Sequence, residues 1–201
     1  MDSSQMQAIN KFLEEKILPE LEKGRPNFDK PHTIAVVDKI QEIIEHSPQF
    51  KVDPIVLLIA AYAHDWGYCD LFEDGQALEL DDVKQAKSAH KRLGAEKISK
   101  LLQDKFFSSL TNEQKKRCVH LVAVHDNTEE LTDPDELILM EADTLGGLDT
   151  NYVKPTFSAE SNLRYIEGVK TKRAPKFITD YGKKELPRLI QMRMDFYEKK
   201  K

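Results

Sequence analysis

Four of the six histidines in this chain fall in register with apolar helical stripes, and carboxylates accompany them. His64 and Asp65 are adjacent at the end of the most apolar run, IVLLIAAYAH. His32 stands one helical turn before Val36 and two before Ile40, so it extends the buried face of its own segment. His90 shares a stripe with Gly94, Ile98 and Leu101, His125 with Cys118, Leu121 and Val122, and Asp143 with Leu139 and Met140. A lone inward imidazole is ordinarily a hydrogen-bonded core residue. Several segments sending imidazole or carboxylate inward together would cost about a few kcal/mol each without a partner, and a cation supplies one. Neutral imidazole with carboxylate suits Mn²⁺, Fe²⁺, Co²⁺, Ni²⁺ or Zn²⁺, with Mg²⁺ also allowed, and the lack of cysteine near the set argues against structural zinc. An incomplete protein ligand shell leaves positions for water, which a metal acidifies into a nucleophile.

Helices must carry these groups. Residues 4–23 place Met6, Ile9, Phe12, Leu13, Ile17 and Leu21 at helical spacing, and GRPNFDKP then breaks the pattern. A second helix is expected from His32 to His46, with Val36, Val37, Ile40, Ile43 and Ile44 on one face. Asp53-Pro54 reads as an N-cap followed by proline at the first helical position, opening a central apolar helix. GYCDLFEDGQALELDD reads as a long loop, a kind that is usually functional or mobile. A helix over 83–103 follows, then two with capping boxes, Thr111-Asn112-Glu113-Gln114 running to His125 and Asp133-Pro134-Asp135-Glu136 running to Leu145. Gly146-Gly147 reads as the end of the latter, letting backbone approach the pocket, or as a plain C-cap. From Ala159 to Lys201 one short and one longer helix are expected, the start of the longer blurred by Pro175 and Pro187. With no period-2 strand, repeat or low-complexity linker, the chain is all-α, a single bundle of about six to eight helices with the site at its centre.

The order His32, then His64-Asp65, then Asp143 on this all-α background resembles the HD-domain superfamily of metal-dependent phosphohydrolases. The strings that carry the resemblance are PHTIAVVDKI, LLIAAYAHDWGY, SAHKRLGAEKISKLL, HLVAVHDN and EADTLGGLD, over about residues 28–150. It implies an N-terminal helix (1–27) packed on a metal-dependent core (28–150), with a basic C-terminal helical extension (151–201) of the same domain. It further implies that His32, His64, Asp65 and Asp143 hold a divalent metal. His90 and His125 match positions that in many members bind a second metal or the substrate phosphate, which makes them, with Asp65, the catalytic candidates. After the HD pair many members carry a small apolar residue, Gly and then Lys or Arg, whereas here the run is HDWGYCD. The implied activity is hydrolysis of a small phosphate ester, nucleotides included, by metal-activated water. Two alternatives share the fold: a di-iron oxygenase using all six positions, and a non-catalytic nucleotide-sensing module, whose usual mark is a missing ligand.

Other polar residues carry ordinary readings beside functional ones. His46 in EHSPQF is a helix-end or surface histidine, and His120 points away from the His125 stripe. Asp38, Asp70 and Asp126 neighbour the motif residues; Asp70 and Glu73 could supply a general acid or be solvated loop carboxylates. Lys91 and Arg92, next to His90, could reach a phosphate or face solvent, and Arg164, Lys170, Lys172 and Arg173 are the basic candidates of the C-terminal region. Tyr62, Trp66 and Tyr68 could stack on a base or sugar or simply wall the site.

Composition bounds the partners. The 201 residues hold 30 Lys+Arg against 35 Asp+Glu, a net charge of −5. Residues 150–201 carry 13 basic and 6 acidic side chains, a balance of +7, leaving −12 for residues 1–149. An acidic body disfavours sustained nucleic-acid binding, while a small phosphorylated substrate against the basic end stays open. No run is long and apolar enough to span a membrane, no signal peptide is evident, and Cys69 and Cys118 stand alone, so a soluble, cytoplasmic protein is expected.

Overall fold

The computed structural model describes residues 3–69, 71–72 and 78–198. Among these the chain is all-α, with eight α-helices and no strand: α1 (Ser3–Leu21), α2 (Asp29–His46), α3 (Pro54–Ala63), α4 (Leu80–Leu101), α5 (Asn112–Val124), α6 (Pro134–Leu148), α7 (Ala159–Gly168) and α8 (Asp180–Glu198). None of these helices is long and apolar enough to cross a membrane.

α3 is the axle of the bundle. The Asp53 carboxylate accepts from the backbone N–H of Ile55 at 2.9 Å and of Val56 at 3.3 Å, and Pro54 occupies the first helical position, where its missing N–H costs nothing. Every residue from Ile55 to Ala63 is buried, packed by α1, α2, α5 and α6. A helix apolar on all sides is stable only at the centre of such a shell. Capping boxes start α4 (Glu79 and Asp82), α5 (Thr111 and Gln114) and α6 (Asp133 and Glu136), each satisfying backbone donors that the first turn leaves open.

Several boundaries differ from the sequence reading. α2 begins at Asp29, so Pro31 lies in its first turn, and α4 begins at Leu80, which shortens the expected loop; Trp66–Tyr68 form a 3₁₀ turn that leads into that loop. Pro187 lies inside α8. Gly146 and Gly147 do not end α6, which continues through Leu148. Their role is close approach: a Cβ on Gly146 would stand 2.9 Å from Val36 Cγ2 and 3.1 Å from the Val36 backbone nitrogen. The absent side chain lets α6 lie against α2, which brings Asp143 to His32.

Candidate metal centre

The helices deliver their polar groups to one buried place. His32 comes from α2, His64 caps the C-terminus of α3, and Asp65 is the next residue. His90 projects from α4, His125 caps α5, and Asp143 comes from α6. Glycine sets how closely the turn after Asp65 meets α4. A Cβ on Gly67 would lie 1.8 Å from the His90 carbonyl oxygen and 2.6 Å from the Gly94 nitrogen, so no other residue permits this packing.

Two groups of ligand-type atoms result, and Asp65 belongs to both. In the first, His32 Nε2 lies 3.0 Å from Asp143 Oδ1 and 3.2 Å from His64 Nε2, while Asp65 Oδ2 is 3.5 Å from His32 Nε2 and 3.3 Å from His64 Nε2. In the second, His90 Nε2 and His125 Nε2 are 3.3 Å apart and each lies 3.7 Å from Asp65 Oδ1. Asp126 Oδ2 adds a fourth group at 3.7 Å from His90 Nε2 and 3.9 Å from His125 Nε2.

The donor chemistry suits a cation. Two atoms that each bind one ion at about 2.1 Å stand roughly 3.0–3.4 Å apart for octahedral to tetrahedral angles, close to the shorter spacings above. The tautomers agree: His64 Nδ1 sits 2.7 Å from the Ala61 carbonyl and His125 Nδ1 2.8 Å from the Val122 carbonyl. A carbonyl only accepts, so Nδ1 carries a proton in both rings, and Nε2 is the atom left to face an ion. His32 and His90 are held differently. Their buried Nδ1 atoms have no hydrogen-bond partner among the described residues, and aromatic rings hold them instead. Tyr68 stacks on His90 at 4.0 Å between centroids and 8° between planes, and Phe28 lies 5.1 Å from the His32 ring.

Two arginines complete the electrostatics. Arg173 donates from Nη1 to Asp143 Oδ2 and from Nη2 to Asp126 Oδ1, each at 2.6 Å. Arg25 donates from Nε to Asp29 Oδ1 at 2.5 Å and from Nη2 to Asp65 Oδ2. Burial opposes ionisation of Asp65 and Asp143, but His64 and Arg25 for the first, and Arg173 and His32 for the second, hold both well below the usual carboxylate range. Burial likewise opposes the charged form of His64, yet Asp65 and Asp143 raise its pKa to about 9. His90, desolvated and beside His125, falls to about 3.

The remaining candidates separate clearly. His120 contacts Glu136 at 2.7 Å, and His46 is exposed, with Nδ1 2.8 Å from the Glu42 carbonyl. Lys91 donates to Asn127, Arg92 pairs with Glu96, and Arg164 pairs with Asp81 at the surface. Lys170 and Lys172 are exposed. Asp38 accepts from the Tyr152 hydroxyl. Tyr62 and Trp66 are wall residues, donating to Asn10 and Glu20, whereas Tyr68 touches the site directly. Asp70 and Glu73 lie outside the described residues. Arg25 and Asp29 are not visible as site residues in the sequence, because both fall in the breaker stretch GRPNFDKP, where periodicity says nothing, although α2 in fact begins at Asp29. Gly24 is their one local signal: a Cβ there would meet Asp29 Oδ2 at 2.1 Å.

Comparison with known proteins agrees with this geometry. Neither the curated proteins nor the solved structures give a match. The family model described as HD domain matches residues 31–147, a stretch that runs from the first turn of α2 to Gly147 and takes in all six ligand-type residues. The chain belongs to the HD domain family.

Proposed function

We propose that this protein is a metal-dependent phosphohydrolase whose buried centre holds two divalent ions, the first on His32, His64, Asp65 and Asp143 and the second on Asp65, His90, His125 and Asp126. The observation that carries the reading is the Asp65 carboxylate, whose Oδ2 faces one histidine pair and whose Oδ1 faces the other. Divalent ions held there supply Lewis acidity toward phosphoryl oxygens and lower the pKa of coordinated water. The chain supplies the rest. Asp65 joins the two halves, the Nδ1 contacts of His64 and His125 fix their rings, and Arg173 pairs with Asp126 and Asp143. The reaction adds water across a P–O ester bond: the water oxygen bonds to phosphorus, the ester bond breaks, and the alcohol leaves with one of the water protons. The substrate is a small phosphate ester, with nucleotides among the candidates.

A panel of nucleotides and phosphorylated metabolites, assayed with Mn²⁺, Co²⁺ and Mg²⁺, tests this reading. Metal-dependent phosphate release that falls by about a hundredfold or more in His64→Ala and Asp65→Ala supports it. Unchanged turnover in both variants, or no release with any metal, overturns it. Iron retained after anaerobic purification together with dioxygen consumption would point instead to an oxygenase, and nucleotide binding without turnover to a sensing module.

A further inference from the structure

A cavity of about 170 Å³ is lined by Arg25, by the polar Asn27 and Thr156, and by Phe28, Leu78, Val83 and Phe157 among its apolar walls. Its position relative to the ligand cluster is fixed through two contacts. Arg25 Nη2 donates to Asp65 Oδ2, and the Phe28 ring packs on His32. The Arg25 guanidinium is clamped between rings, its Cζ 4.3 Å from the Phe28 centroid and 4.2 Å from that of Tyr68. Nε and Nη2 are engaged by Asp29 and Asp65, while Nη1 has no hydrogen-bond partner among the described residues. The group is thus held rigidly with donor capacity left for an anion.

The far wall is also built. Ser158 donates from its backbone nitrogen to Glu79 Oε1 at 3.1 Å and from its hydroxyl to Oε2 at 2.9 Å, and the Tyr197 hydroxyl donates to the Phe157 carbonyl at 2.7 Å. These contacts tether the Phe157 segment over the start of α4, which carries Val83 and, two turns later, His90. A cavity of about 150 Å³ accommodates one benzene ring, so this space takes a single six-membered ring and little more.

We propose that this cavity is the leaving-group subsite, accepting one apolar or aromatic ring while the attached phosphate rests against Arg25, beside Asp65. The substrate class is then a phosphate ester of a compact ring-bearing alcohol or phenol, with Asn27 and Thr156 in the lining able to meet a polar substituent on that ring. The fate of the phosphate rests on the phosphohydrolase reading, but the preference for a ring does not.

The test measures binding of phenylphosphonate and methylphosphonate, which cannot be hydrolysed as esters, to the full chain loaded with Mn²⁺, by calorimetry. Wild type should bind phenylphosphonate about tenfold or more tightly than methylphosphonate. Val83→Phe, which fills the cavity, and Phe157→Ala, which removes a partly exposed wall, should each abolish that ratio and leave methylphosphonate binding unchanged. Arg25→Gln should weaken both ligands and preserve the ratio. Equal affinities in wild type, or a ratio that survives both wall variants, would overturn the proposal. A ring preference retained without hydrolysis of phenyl phosphate would uphold the subsite and overturn the hydrolase reading alone.

Discussion

Arg173 holds the oxygen of Asp143 that the ligand cluster does not use: Oδ2 accepts from Arg173 Nη1 at 2.6 Å while Oδ1 faces His32 Nε2 at 3.0 Å. The same guanidinium spans to Asp126, so one side chain orients a carboxylate in each half of the centre. Removing an orienting partner of a ligand typically lowers metal affinity by about 10–100-fold. Arg173→Met should therefore weaken both ions in a metal titration, and Arg173→Lys, unable to span both carboxylates, should recover only part of the loss. Unaltered affinity in Arg173→Met would show that the carboxylates need no such support.

Tyr68 acts on His90 through its ring face. Its hydroxyl makes no hydrogen bond among the described residues, and the ring stacks parallel to the imidazole to within 8°. Tyr68→Phe should leave metal loading as in wild type. Tyr68→Ala should lower the affinity of the half containing His90 by about tenfold, with a smaller effect on the half containing His32. Equal losses in Phe and Ala would locate the effect in the hydroxyl instead.

Two glycines make a paired stability test. At Gly67 a methyl group would enter the His90 carbonyl at 1.8 Å, so Gly67→Ala should destabilise by about 3 kcal/mol or more and release metal as the turn shifts from α4. Gly168 has helical φ −60 and ψ −38, and nothing stands within 4 Å of where its Cβ would be, so Gly168→Ala should be neutral or stabilising by about 0.4–1 kcal/mol. Chemical denaturation of both variants decides the matter.

Metal uptake should release a proton from His64 near neutral pH. With no metal bound, its pKa rises from 6.5 to about 9, burial being outweighed by Asp65 and Asp143. The stabilisation from that bound proton is fully present below the unfolded value of about 6.5 and is lost as pH rises through about 9. Coordination needs the Nε2 lone pair, so binding near pH 7 must expel the proton, and the release must fade above about pH 9. Calorimetry in buffers of different ionisation enthalpy measures it. A heat independent of buffer near pH 7 would show that His64 is already neutral before the metal binds.

The legible part of this protein is the part carried on helical stripes. His32, His90, His125 and Asp143 each share a face with apolar residues, His64 and Asp65 stand together at the end of the most apolar run, and Asp53-Pro54 announces α3 through local chemistry alone. Arg25 is invisible in the sequence because it lies off the helices, where periodicity assigns no face. Arg173 can be named there only as one of several basic residues, since its partners Asp126 and Asp143 come from distant parts of the chain. Gly146-Gly147 misleads for a related reason. Glycine after a periodic run usually ends a helix, and what overrides that here is Val36 on another helix, a tertiary contact with no local trace.

The proposed two-ion centre depends on Asp65, whose Oδ2 lies near His32 and His64 and whose Oδ1 lies near His90 and His125. Elemental analysis of protein loaded with Mn²⁺ and desalted tests it most directly, on wild type, His125→Ala and Asp65→Ala. The proposed function predicts two ions per chain in wild type, one in His125→Ala, and loss of both in Asp65→Ala. A wild type that retains one ion, unchanged by His125→Ala, would contradict it.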